Sequence, residues 1–175
     1  TRFLYVSWAR RCVIRDRSGL RIVASIDEVN FVQNLVHYIS RAYRTPDYGI
    51  WERGHKLNHG EPELNASSIG MALAALEALD GFNLFGKDGG QASLVHVVAD
   101  DIARTRIALN ALLPRESSSK EVDSALLSIT GFPAFAVTDS GLCGRTTTLC
   151  VHRLEGNYGF KRFLLDGHQT VIEDQ

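Results

Sequence analysis

An all-α fold is what this sequence predicts, and three observations carry it. Apolar residues recur at helical spacing in several segments along the chain. Ser, Asp, Gly and Pro stand where those segments should start and stop. No sustained apolar–polar alternation marks a sheet, no repeat of fixed period is visible, and no tract is of low complexity.

The first helix follows Ser25, which with Glu28 three residues on makes a capping box. Val32, Leu35, Val36, Ile39 and Tyr43 then share a face, and Pro46 ends the run. A polar loop from Asp47 to Glu61 leads to a second helix over about Asn65 to Leu79, with Gly81 as its stop. Its Gly70 and alanines suit close approach to another helix. Gly86 to Gly90 reads as a turn, and Leu94 to Val98 is too short to assign. Asp100 or Asp101 should cap a third helix carrying Ile102, Leu109 and Leu113, ended by Pro114. Ser118 and Glu121 look like a second capping box, opening a short helix with Val122, Leu126 and Ile129. From Leu142 to Leu154 the leucines allow a helix, while Thr146, Thr147 and Thr148 argue against one. Gly156 to Thr170 reads as loop with one short strand.

Composition excludes several function classes. The chain has 175 residues, 45% apolar and 22% charged, so it is neither a disordered tail nor a fibre. Nineteen basic and twenty acidic side chains leave a net charge of -1, which provides no field to draw nucleic acid or anionic lipid. The Arg-rich stretch of residues 2–17 shows no clean amphipathic face for docking calmodulin or a membrane. Cys12, Cys143 and Cys150 are too few for a disulfide framework and fit structural thiols in a reducing compartment. His55 and His59 lie between glycines, as a solvated loop pair rather than a metal site, and His37 and His96 are expected in or beside the core. Asn65-Ala66-Ser67 reads as a helix start rather than a glycosylation site. The chain begins at Thr1 and is expected to be a piece of a longer protein. No cofactor and no metal are expected.

The segment Asp47-Tyr48-Gly49-Ile50-Trp51-Glu52-Arg53-Gly54 is where chemistry could sit. An indole can stack on the apolar face of a pyranose, and an adjacent carboxylic acid can protonate a glycosidic oxygen. Gly49 and Gly54 let the loop bend beyond the first helix.

That run resembles the large regulatory subunits, alpha and beta, of phosphorylase kinase. So do Glu63-Leu64-Asn65-Ala66-Ser67-Ser68-Ile69-Gly70-Met71, Leu112-Leu113-Pro114-Arg115, Phe132-Pro133-Ala134-Phe135-Ala136 and Tyr158-Gly159-Phe160-Lys161-Arg162-Phe163-Leu164. The similarity covers residues 19–175, a part of a glucoamylase-like helical domain. Residues 1–18 depart from it as a divergent or mispredicted N-terminal segment. Leu64-Asn65-Ala66-Ser67-Ser68 leans to alpha and Gly81-Phe82-Asn83-Leu84-Phe85-Gly86 to beta, so the motifs leave the two open.

The resemblance implies a glucoamylase-like (α/α)6 barrel, a six-hairpin toroid similar to glycoside hydrolase family 15. Twelve helices of about 12 residues with loops of about 6 need roughly 216 residues, so a partial barrel is expected, a fragment. By the same resemblance Glu52 takes the general-acid position and Trp51 the aromatic beside it. Arg162 and Asp166 take positions lining the sugar. Arg53 stands where fungal enzymes carry a second carboxylate, and His168 replaces an aromatic. No residue here takes the general base that an inverting site needs roughly 6.5–9.5 Å from the acid.

The function so implied is that of a regulatory and scaffold subunit, which controls a separate catalytic protein-kinase subunit in glycogen breakdown. The implied partners are that kinase subunit, calmodulin and the other large regulatory subunit, with glycogen as a further candidate and no nucleic acid. The chain has no kinase signature, so no phosphoryl transfer of its own is expected. Two readings stand beside this one: a glycogen- or maltooligosaccharide-binding module, and an active inverting α-glucosidase using Glu52. A cytoplasmic location is implied, with a prenyl anchor to the plasma membrane carried outside these residues.

Overall fold

Ser25 opens the first helix as its sequence requires. Its hydroxyl accepts the Glu28 N–H, while the Glu28 carboxylate accepts the Ser25 and Ala24 N–H groups. The computed structural model describes residues 22–52 and 61–164, and five α-helices lie within them. They are α1 (Ile26–Ala42), α2 (Ala66–Leu79), α3 (Ala99–Leu112), the single turn α4 (Leu127–Thr130) and α5 (Ser140–Leu154). A two-residue hairpin follows, β1 (Glu155–Gly156) against β2 (Gly159–Phe160). The described residues are thus mainly helical, consistent with a glucoamylase-like helical fold. None of their helices is long and apolar enough to cross a membrane.

Helix α2 is the centre of the packing. It lies against α3, α1 and α4, and α5 closes on α4. One apolar cluster joins Ala66, Ile69 and Leu73 of α2 to Leu109, Ile129, Cys150 and Leu154. A second joins Leu76, at the other end of α2, to Val29 and Val36 of α1 and to Phe82, Leu84 and Val95. Gly70 is what lets α4 come close. A Cβ there would stand 2.5 Å from Ile129 Cγ2, so a side chain would force the two elements apart.

Several segments differ from the sequence reading. Ser118 and Glu121 cap no helix: the Ser118 hydroxyl bonds Glu63 instead, and residues 117–123 form a loop. The cap passes to Asp123, whose carboxylate accepts the Ala125 N–H at 2.8 Å and opens a 3-10 turn, Ser124–Leu126, running into α4. In α3, Asp100 and Asp101 fall within the first turn, after Val98. There they favour the positive end of the helix dipole without capping it. Leu94 pairs with Asn83 as a single bridge. The three threonines do not break α5, because the buried Thr146 returns its hydroxyl to Leu142 O at 2.8 Å. His37 and His96 are exposed rather than in the core, for Gln33 between them uses its amide on the backbone of His96.

Candidate functional site

The Trp51–Glu52 loop is pinned before it reaches its functional residues. Asp47 and Glu63 exchange backbone hydrogen bonds of 2.8 and 2.9 Å, which ties the start of the loop to the residues leading into α2. The Asp47 carboxylate then accepts the Gly49 N–H at 2.8 Å, turning the chain. Gly49 has φ +70, and a Cβ there would sit 3.3 Å from Asn65 Oδ1 and Lys120 Nζ, so no larger residue fits without displacing them. Glu52 N–H returns to Gly49 O at 2.9 Å. The turn leaves Glu52 exposed, at φ 55, in the left-handed region. A non-glycine residue held there is strained backbone at the position that the resemblance marks as the acid.

Trp51 is half-buried beside it, and its indole N–H donates to Asp123 Oδ1 at 2.7 Å. Asp123 belongs to a polar seam lying between this loop and the N-terminal end of α2. Asn65, 1% exposed, donates to Asp47 O, Asp47 Oδ1 and Glu63 O. Glu116 takes the Ser67 N–H and hydroxyl with its carboxylate, and the Ala66 N–H with its carbonyl. Lys120 Nζ lies 3.9 Å from Asp123 Oδ2, both side chains buried. Glu63 gathers the hydroxyls of Ser117, Ser118 and Ser119.

Burial sets the charge states of this seam. It pushes the Glu116 carboxyl up to about 8, against the Ser67 hydroxyl and with the Asp123 charge adding, so Glu116 is protonated near neutrality. Asp123 is pushed up by burial as well, opposed by the Ala125 N–H, the Trp51 indole and the charges of Lys120 and Arg162. For Glu63 burial is outweighed by the three serine hydroxyls and the Ser119 N–H, which hold its carboxyl below the usual range. Burial also raises the Cys150 thiol to about 12, which makes it an inert core group.

Arg162 reaches the same place from the far end of the chain. Its carbonyl accepts the Ser124 N–H at 2.7 Å, its guanidinium lies 5.7 Å from the centre of the Phe163 ring, and its charge acts on Asp123. The structure therefore gathers Trp51 and Arg162 around one carboxylate, with Glu52 next to Trp51 on the exposed rim. Arg53, Asp166, His55, His59 and His168 lie outside the described residues, as do residues 1–18. No cluster of three metal-ligating side chains occurs among the described residues. Asp123, Lys120 and Glu116 were not legible as site residues. Their one sequence signal is a run of four charged residues, Glu116, Lys120, Glu121 and Asp123, within eight positions that hold a single apolar residue, Val122.

Comparison with known proteins gives this arrangement its context. A probable phosphorylase b kinase regulatory subunit alpha of Drosophila melanogaster is 61% identical over 157 residues, 90% of this chain and 13% of that protein. The skeletal muscle alpha isoform of Mus musculus is 59% identical and the liver alpha isoform of Oryctolagus cuniculus 55%, over the same shares. These relatives are alpha subunits, a distinction the motifs alone leave open. The chain spans about 13% of their length. The family model of glycosyl hydrolases family 15 matches residues 4–139, which hold the Trp51 loop, α2 and the polar seam. On that match the chain belongs to glycosyl hydrolases family 15.

Proposed function

We propose that this chain is part of a regulatory and scaffold subunit of phosphorylase kinase, restraining a separate catalytic kinase subunit in glycogen breakdown. The identity of 61% over 157 residues to an alpha subunit is the observation that carries the reading. The catalytic kinase subunit, calmodulin and the other large regulatory subunit are its proposed partners. Its place is cytoplasmic, with any lipid anchor in another part of the protein. Residues 19–175 are assigned to one arc of a glucoamylase-like (α/α)6 barrel and residues 1–18 to a divergent segment, although the family match reaches back to residue 4. Phe31, Leu35 and Tyr38 on α1 and Ile107 on α3 are large apolar residues left exposed, which supports further helices packing there.

Within that subunit the Trp51 loop is assigned to maltooligosaccharide or glycogen binding, with Glu52, Arg53, Arg162 and Asp166 around the sugar. The indole held at Asp123 favours this second reading. An acid alone cannot complete inverting hydrolysis, which needs a second carboxylate to activate water. Tagged full-length protein should recover a kinase subunit and calmodulin with and without calcium; recovery of neither removes the regulatory reading. Incubation with maltooligosaccharides should release no glucose. Release that disappears in Glu52→Gln, which cannot donate a proton, would establish a glucosidase instead.

A further inference from the structure

We propose that Asp123 is the positioning residue for Trp51, its buried carboxylate fixing the plane of the indole on which a glucose unit stacks. This rests on the sugar-binding reading of the loop. An indole has a single hydrogen-bonding atom, Nε1, and here it is committed at 2.7 Å to a residue 72 positions away. The acceptor is itself held from several sides. Asp123 is fully buried, the same Oδ1 takes the Ala125 N–H at 2.8 Å, and its backbone pairs with Phe163. Its other oxygen accepts no hydrogen bond among the described residues and faces Lys120 Nζ at 3.9 Å. One oxygen therefore joins the Trp51 loop to the start of the turn into α4, and the Arg162 backbone joins the same turn through Ser124 N–H. Stacking on a pyranose depends on the plane of the ring, so an indole free to rotate would lose affinity without losing apolar surface.

The test uses full-length protein carrying 5-fluorotryptophan, with maltoheptaose as the probe. The Trp51 fluorine resonance is identified by its absence in Trp51→Phe. Asp123→Ala should shift and broaden it, while Asp123→Asn, which keeps an acceptor, should leave it near the parent position. Maltoheptaose affinity should fall about tenfold in Asp123→Ala and in Trp51→Phe, with no further loss when the two are combined. Asn should restore it. An unmoved resonance in Asp123→Ala, or losses that add, would overturn the proposal. Should Asp123→Ala not fold, unchanged affinity in Trp51→Phe, which keeps a ring but removes the donor, would overturn it equally. A resonance that moves as expected in protein that binds no maltoheptaose would sink the sugar reading and leave the positioning role standing.

Discussion

The two ends of α2 are built from opposite materials. At its N-terminal end Asn65, Ser67, Glu116, Lys120 and Asp123 are all buried, yet all are polar or charged. At its C-terminal end Leu76 packs among Val29, Val36, Phe82, Leu84 and Val95, and the Glu77–Arg106 ion pair there stays partly exposed. Apolar burial tolerates small errors of position, because dispersion and the hydrophobic effect have no direction. A buried carboxylate tolerates none, since each donor must arrive at hydrogen-bond distance. The difference places directional chemistry beside the Trp51 loop and leaves non-directional packing to hold the helix at the far end.

Removing the lysine at the polar end should do the greatest damage. Lys120→Ala leaves Asp123 buried without its nearest cation and is expected to lower stability by about 3–5 kcal/mol in a denaturant melt. The paired change Lys120→Met with Asp123→Asn should recover much of that loss, because no buried charge remains. If the single change is harmless, the polar end is solvated and the contrast disappears. At the apolar end, Leu76→Ala should cost about 2–5 kcal/mol through lost burial and the cavity left behind. It should leave the Trp51 hydrogen bond untouched, which indole fluorescence can follow. Between the two ends, Gly70→Ala should cost about 1–3 kcal/mol by driving a methyl into Ile129. Combined with Ile129→Ala it should cost less than the sum of the separate changes, since the clashing Cγ2 is gone.

The effect that depends most on pH belongs to Glu116→Gln. With the carboxyl near 8 in the fold and at its ordinary 4.5 when unfolded, the native state holds a proton that the unfolded chain has released between those values. Stability from this group is therefore complete below about pH 4.5 and is lost as pH rises through about 8. The Gln variant should match the parent near pH 4 and become progressively the more stable between about pH 4.5 and 8, with a flatter profile of melting temperature against pH. Identical slopes would mean that Glu116 is charged in the fold.

What could be read from the sequence divides along the same line. Helix α1 was legible down to its cap because Ser25 and Glu28 are three residues apart and their bonds are local. The extent of α2 was legible for the same reason, its stop being marked by Gly81 just beyond Leu79. The capping box at Ser118 and Glu121 failed because Ser118 bonds Glu63, 55 positions earlier, a partner no local pattern can announce. Likewise Trp51 could be singled out by chemistry and resemblance, while Asp123, its hydrogen-bond partner, could not. The undecided stretch from Leu142 resolved as helix because the Thr146 hydroxyl found an acceptor within its own turn. Periodicity reports surfaces that face a core; it is silent on polar groups that face each other.

One consequence of the Glu116 clamp concerns amide exchange with solvent. The first amides of a helix have no partner within it and ordinarily trade their hydrogens quickly. In α2 the Ala66 N–H is taken by Glu116 O at 2.7 Å and the Ser67 N–H by the Glu116 carboxyl group at 3.1 Å. Deuterium should therefore enter the start of α2 about as slowly as its middle. At the start of α3, where no side chain caps the helix, it should enter quickly. The slow-exchanging region would then reach from the apolar centre of α2 to the edge of the Trp51 loop, so that opening this corner requires loosening the helix itself.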